Sequence, residues 1–306
     1  MRLVFAGTPA VAVPTLHALA ARHDIAAVIT RPDAPLGRKR VLTPSPVAAA
    51  AEALGLPILK TARLDEEATA RVTALDADLG VIVAYGGIVR EPLLSAPRHG
   101  WINLHFSLLP AWRGAAPVQR ALIAGDAELG VSVFQLVPVL DAGDVFAMQP
   151  VEIPSDATAD TALALLAEAG ADATDDVVSG IADGTATATA QQGTVTLAPK
   201  LTFEDGALDW TRPVATVFAR YRGVTPEPGA HTSIDGTRLK ILAAAPSADA
   251  PALAPGEVTG TRTAVLIGCG DGALEVTRVQ PAGKGPMNAA DWWRGLRSDE
   301  SVRAGS

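Results

Sequence analysis

Along the first half of the chain, short apolar runs alternate with Ala-rich helical stretches. Leu3–Ala6, Ile25–Thr30, Pro57–Lys60, Leu79–Ala84 and Trp101–Leu104 read as strands, and Val13–Ala21, Ser45–Leu54 and Leu64–Leu75 read as helices. Ser45-Pro46 is a good helix start, a hydroxyl cap followed by proline at the first helical position. Leu79–Ala84 is apolar without alternation, which suits a parallel strand buried on both faces. Strands alternating with helices imply an open α/β sheet with right-handed crossovers, and such sheets gather ligands at the carboxyl ends of their strands.

Further along, Gly130–Val137 and Phe146–Ile153 read as strands around an Asp-Gly turn, and Thr161–Val178 reads as a helix. Residues 185–200 are rich in Thr, Ala and Gln with weak periodicity, which predicts a linker with an extended portion. Beyond it, Ala215–Tyr221 has helical character, while Arg238–Ala244, Gly256–Thr261, Ala264–Gly268 and Leu274–Val279 are short β runs. Short strands recurring through about a hundred residues suggest a small barrel. The expected organisation is a catalytic domain over 1–185, a linker over 186–205 and a β-barrel domain over 206–306. A chain of 306 residues is comfortable for two domains.

Composition narrows the function classes. The formal charge of −8 argues against an obvious nucleic-acid binder, but it is unevenly spread. Residues 206–306 hold 11 Lys/Arg against 10 Asp/Glu, and Arg31 to Arg40 hold four cations against Asp33 alone. Steering of a polyanion would rest on such local patches. The prolines and glycine of the Arg31–Arg40 stretch mark it as a loop rather than a helix, expected to be mobile. Cys269 is the only cysteine, which excludes an internal disulfide and fits a reducing, cytoplasmic compartment. No apolar run is long enough to span a bilayer.

The densest chemistry lies in Asn103-Leu104-His105-Phe106-Ser107-Leu108-Leu109-Pro110. On a strand, Asn103 and His105 point to the same face, and Pro110 ends the strand close by. Asp141 follows in the turn Leu140-Asp141-Ala142-Gly143-Asp144, where a carboxylate can hold the imidazole and manage a proton. These groups suit acyl or formyl transfer to an amine. The amine is its own nucleophile, while an amide and an imidazole N–H can donate to an oxyanion. The sequence has no GxSxG, CxxC, HExxH or Walker loop.

The octapeptide from Asn103 to Pro110, with Asp141 36 residues after His105, resembles the signature of the folate-dependent formyltransferase family. Phe5–Pro9, Arg31-Pro32-Asp33 with Gly37-Arg38, Pro44–Val47, Trp112–Pro117, Gly206–Trp210 and Gln280–Lys284 extend the likeness almost end to end. They are similar to the branch of the family that acts on charged initiator tRNA. The resemblance implies a Rossmann-like catalytic domain followed by an OB-like domain that binds the tRNA. It implies 10-formyltetrahydrofolate as donor, initiator methionyl-tRNA as acceptor, and neither metal nor membrane; a monomer is expected. It also implies Asn103, His105 and Asp141 as catalytic residues, Ser107, Leu108, Leu109 and Pro110 at the folate site, and Arg31, Arg38, Lys39 and Arg40 in an insertion that meets the tRNA. Phe106 departs from the smaller residue often found there, which bears on the pocket wall. The alternatives are an amino-sugar formyltransferase or a formyl-folate hydrolase with the same core, and a non-catalytic nucleic-acid-binding protein.

Overall fold

The computed structural model describes residues 1–37, 39–296 and 302–305. In chain order the elements are β1 (Arg2–Gly7), α1 (Val13–Arg22), β2 (Asp24–Thr30), β3 (Ala34–Leu36), β4 (Val41–Thr43), α2 (Pro46–Ala53), β5 (Ile58–Lys60), α3 (Glu66–Thr73), β6 (Leu79–Val83), β7 (Trp101–His105), β8 (Arg113–Gly114), α4 (Pro117–Ala124), β9 (Leu129–Gln135), β10 (Val145–Val151), α5 (Ala159–Asp183), β11 (Leu197–Ala198), α6 (Val214–Val224), β12 (His231–Ile234), β13 (Thr237–Pro246), β14 (Val258–Gly260), β15 (Val265–Gly268), β16 (Ala273–Pro281), β17 (Met287–Asn288) and α7 (Ala289–Gly295). Backbone contacts divide them between two compact units. One comprises Met1–Pro117, Glu128–Glu152 and Leu163–Ala198; the other comprises Val118–Ala127, Ile153–Ala162 and Pro199–Ser306.

The first unit is built on a seven-stranded sheet in the order β10-β9-β7-β6-β1-β2-β5. The five strands from β5 to β7 run parallel, β9 runs antiparallel to β7, and β10 antiparallel to β9. Strand order reverses between β1 and β6, so the carboxyl ends there frame a crevice, the usual ligand position of an open α/β sheet. The central strands are apolar because both faces are covered: Leu3–Ala6 and Leu79–Val83 are buried throughout. Gly80 leaves room for the Trp101 ring, since a Cβ on Gly80 would lie 2.1 Å from it. The buried Trp101 Nε1–H donates to the Leu93 carbonyl at 2.9 Å. The Ser45 hydroxyl caps α2 by accepting from Ala48 N–H at 3.0 Å, with Pro46 at the first helical position.

Two expectations need correction here. β3 and β4 pair as a hairpin, with Ala34 opposite Thr43 and Leu36 opposite Val41, where a loop without regular structure was expected. Gly37 and Arg40 take left-handed φ values of 68° and 49° at the turn. Pro35 gives up one donor, which a two-stranded ribbon in solvent tolerates. The segment expected as a linker over 186–205 is divided. Through Ala198 it packs into the first unit, where Thr189 bridges Val145 and β11 pairs in parallel with β8.

The second unit carries a curled antiparallel sheet in the order β12-β13-β16-β15-β14, with β17 beside β16. Residues 302–305 join its two end strands. Ala304 bridges Ile234 in β12, Arg303 bridges Glu257 just before β14, and Val258 N–H donates to Val302 O at 3.1 Å. The interior is lined by Leu239, Ile241, Val265, Ile267, Leu274 and Val276, against which α6 packs Val217 and Tyr221. Cys269 is buried here, and burial pushes its thiol up to about 11, in keeping with a packing role. Trp292 is buried and Trp293 half-buried on α7.

Candidate active site

β7 delivers Asn103 and His105 to the carboxyl edge of the parallel sheet. His105 is its last residue and is buried; Asn103, two positions earlier, is half-buried. The Asn103 amide has no hydrogen-bond partner among the described residues, so its donors remain available. The His105 Nε2 lies 2.9 Å from the Trp112 carbonyl oxygen. A carbonyl only accepts, so Nε2 carries the proton and Nδ1 is left as the open nitrogen. Nδ1 faces Asp141 Oδ2 at 3.9 Å. An imidazole N–H aimed at a substrate oxygen was expected; in the free protein that N–H is engaged by Trp112 instead. Burial lowers the His105 pKa, and the Asp141 carboxylate and the Trp112 carbonyl oppose this only in part. The neutral form of the ring is therefore favoured, which leaves Nδ1 able to accept a proton beside the Asp141 carboxylate.

The Asp141 carboxylate is fixed from outside its own turn. Its Oδ2 accepts from Gly114 N–H at 2.7 Å. Asp141 and Trp112 have φ values of 45° and 60°, a left-handed conformation that non-glycine residues adopt at a cost. The compensation comes from residues 191–198. Gln191 Nε2 donates to the carbonyls of Asp141 at 2.8 Å and Gly143 at 2.9 Å, while its Oε1 accepts from Arg113 at 2.6 Å. Thr196 Oγ1 accepts from Trp112 N–H at 2.8 Å, and Ala198 O accepts from Ala115 and Ala116. Gly114 fits because it has no Cβ: one would lie 2.7 Å from Ala198 O. The sequence contained no signal for Gln191 or for the Gly114 N–H.

The segment expected to meet folate is mostly occupied with its own architecture. The Ser107 hydroxyl donates to Ala111 O at 2.6 Å, Leu109 N–H donates to Ser132 Oγ at 3.1 Å, and Leu109 and Pro110 are buried. Leu108 alone is half-exposed. Apolar groups left in solvent lie elsewhere: Ile88 after β6 is 70% exposed, and Val139 and Leu140, next to Asp141, are 63% and 61% exposed. For Val139 and Leu140, a pair of large apolar residues beside a turn was the sequence signal that went unread. A cavity of about 480 Å³ opens beyond β2, β5 and β6, lined by Arg31, Arg63, Arg90 and Ile88 among others.

The expected tRNA cluster is separated. Arg31 donates to the carbonyls of Ala62 and Gly86 and lies 5.7 Å from the Tyr85 ring centroid, so its guanidinium is committed to the fold. Lys39 and Arg40 are exposed at the hairpin turn. Arg38 lies outside the described residues.

Residues 1–178 match the formyl transferase family model, and residues 200–297 match the model for the formyl transferase C-terminal domain. The methionyl-tRNA formyltransferase of Leifsonia xyli subsp. xyli is 62% identical over 295 residues, covering 96% of this chain and 97% of that protein. This chain belongs to the methionyl-tRNA formyltransferase family. The corresponding protein of Arthrobacter sp. is 53% identical over 303 residues, with 99% of both chains covered. Among solved structures, an N-formyltransferase from Helicobacter canadensis in complex with folinic acid and dTDP-3-aminofucose has the same fold. Its TM-score is 0.70 at 16% identity, over 91% of this chain and 98% of that one. HypX from Aquifex aeolicus matches with a TM-score of 0.71 at 18% identity, over 98% of this chain and 49% of that one. The family's formyl donor is a formyl-tetrahydrofolate, and no described helix is long and apolar enough to cross a membrane.

Proposed function

We propose that this protein transfers the formyl group of 10-formyltetrahydrofolate to the α-amine of methionine on initiator tRNA, in the cytoplasm, supporting translation initiation. What supports the reading is that Asn103 and His105 lie two positions apart at the end of β7, with Asp141 Oδ2 3.9 Å from His105 Nδ1, in a chain alike along its length to methionyl-tRNA formyltransferases. All three groups come from one chain, which suits action as a monomer.

The amine lone pair attacks the formyl carbon, and the carbonyl electrons move onto oxygen. Asn103 Nδ2–H donates to that oxyanion. The proton shed by the attacking nitrogen passes to the His105 Nδ1–Asp141 pair. The resulting imidazolium, held by the carboxylate, supports the oxyanion charge. As the tetrahedral centre collapses, the bond to the folate nitrogen breaks and that nitrogen takes the proton back. One C–N bond forms, one breaks, and His105 and Asp141 end as they began. Ile88, Val139 and Leu140 suit a flat folate ring, with Ser107–Pro110 shaping the wall behind, and the arginine-lined cavity suits the carboxylates of its tail. Lys39 and Arg40 (and Arg38 between Gly37 and Lys39) suit tRNA phosphates.

The test is incubation with the folate donor and charged initiator tRNA, followed by detection of formylmethionine. Formylation of a dTDP-amino sugar in its place, or release of formate without transfer, would replace this reading with the sugar or hydrolase alternative.

A further inference from the structure

Resting on the reading that initiator tRNA is the acceptor, we propose that Phe203 and Arg238 of the second unit form a stacking and phosphate contact for an unpaired nucleotide of that tRNA. Phe203 is 48% exposed, a large aromatic left in water. It is nevertheless fixed: its ring stacks on His231 with centroids 4.3 Å apart and planes 19° from parallel. The Arg238 guanidinium carbon lies 5.3 Å from the same ring centroid. Ser233 pairs with Arg238 and His231 with Lys240 across β12 and β13, so His231, Arg238 and Lys240 share one face of the sheet, where the side chains of alternate residues project.

The loop carrying Phe203 is tied down on several sides. Asp205 accepts from Thr202 N–H at 2.8 Å and pairs with Arg120 at 2.9 Å, and Arg220 donates to Asp205 O at 3.0 Å. Leu208 N–H donates to His231 O at 3.0 Å, which ties the loop to β12. Gly206 permits the close approach, since a Cβ there would lie 2.9 Å from His231 Nδ1. His231 Nδ1–H in turn donates to Gly229 O at 3.1 Å, fixing the lower ring of the stack. An ordered ring that keeps nearly half its surface open loses little entropy when a base stacks on it.

Cations stand on this face, alongside the exposed carboxylate of Glu204 next to Phe203. Arg238, Lys240 and Lys284 have no carboxylate within ion-pair distance among the described residues. Arg238 and Lys284 also line a cavity of about 310 Å³, with Met287 and Trp292 on its apolar side. Asp291, one of its two carboxylates, is already paired with Arg294. An aromatic platform beside unpaired cations is how proteins hold single-stranded nucleotides: the ring takes the base and the cation the phosphate. A site for an acidic peptide would need the cations but not the exposed ring.

The two contacts respond differently to salt. Binding of initiator methionyl-tRNA to the full chain is measured from low to moderate salt, alongside kcat and KM for formylation and the thermal midpoint. Phe203→Ala is expected to weaken binding roughly ten-fold with the salt slope unchanged, and Phe203→Trp to restore it. Arg238→Gln is expected to weaken binding and reduce the slope by about 0.7–0.9. Both changes should raise KM more than they lower kcat. If Phe203→Ala binds as wild type at every salt concentration, or Trp fails to rescue it, the stacking role is overturned; an unchanged slope in Arg238→Gln overturns the phosphate contact. Wild-type protein that neither binds nor formylates the tRNA overturns the functional reading as well. Wild-type activity with variants that bind normally overturns this surface alone.

Discussion

β7 and the segment 189–198 build one site by opposite means. β7 places Asn103 and His105 through strand geometry alone: buried neighbours on both sides, parallel pairing to β6, and a period of two. Residues 189–198 have almost no regular structure, yet through Gln191, Thr196 and Ala198 they set the Trp112 carbonyl, the Gly114 N–H and the Asp141 turn. The strand supplies reactive groups, and the irregular segment decides what those groups face. A catalytic arrangement can thus depend as much on a polar segment with no chemistry of its own as on the residues that carry the reaction.

The sharpest way to break this comparison is Asp141→Asn. Asparagine can still accept from Gly114 N–H, so the turn keeps its shape while the charge and the proton site go. The kcat is expected to fall about 10²–10⁴-fold, the range of general acid–base catalysis, and the pH–rate profile to change shape. A small drop with an unchanged profile would remove Asp141 from the proton path. Asn103→Ala comes next, with kcat reduced roughly 10²–10³-fold, as for loss of an oxyanion donor, and His105→Ala, which removes the proton acceptor, is expected to fall in a similar range; neither should change donor affinity much. Gln191→Ala tests the other side. It leaves every reactive group in place, yet a shift of the Asp141 turn by a fraction of an ångström is expected to lower kcat about ten-fold. Kinetics at saturating substrates would show whether the segment positions or only tethers.

Smaller effects sharpen the comparison through stability. In the unfolded chain an imidazole takes up its proton near pH 6.5. Burial lowers the pKa of folded His105, so as pH falls below about 6.5 the unfolded state binds the proton first and stability declines. His105→Gln is therefore expected to flatten the loss of thermal midpoint between neutral and mildly acidic pH. The flattening should be partial, because burial and the nearby N-terminal ammonium lower His23 as well. Smallest is Ser45→Ala, which removes the α2 cap and should cost about 1 kcal/mol in denaturant unfolding without touching kcat.

The same contrast explains what the sequence let one read. The parallel core was legible because Leu79–Val83 has no polar position, and the Ser45-Pro46 cap because its chemistry is local. Asn103, His105 and Asp141 stood out as polar groups at strand ends. The hairpin of β3 and β4 was not legible, since Pro35 and Gly37 read as breakers when every side chain of the two strands lies in or near solvent. Nor was β12, whose His231-Thr232-Ser233 start lacks an apolar signature although His231 and Thr232 are buried. Gln191 was hidden for a different reason: its four side-chain hydrogen bonds reach back 48 to 78 residues, and no local pattern encodes them.

Residues 302–305 have a consequence of another kind. β12 and β14 end the sheet of the second unit, and a bare end strand is a template on which another chain can add itself. One short strap caps both, so a single local opening would uncover two such templates at once. Loss of the strap should appear less as a loss of catalysis than as self-association that grows with protein concentration.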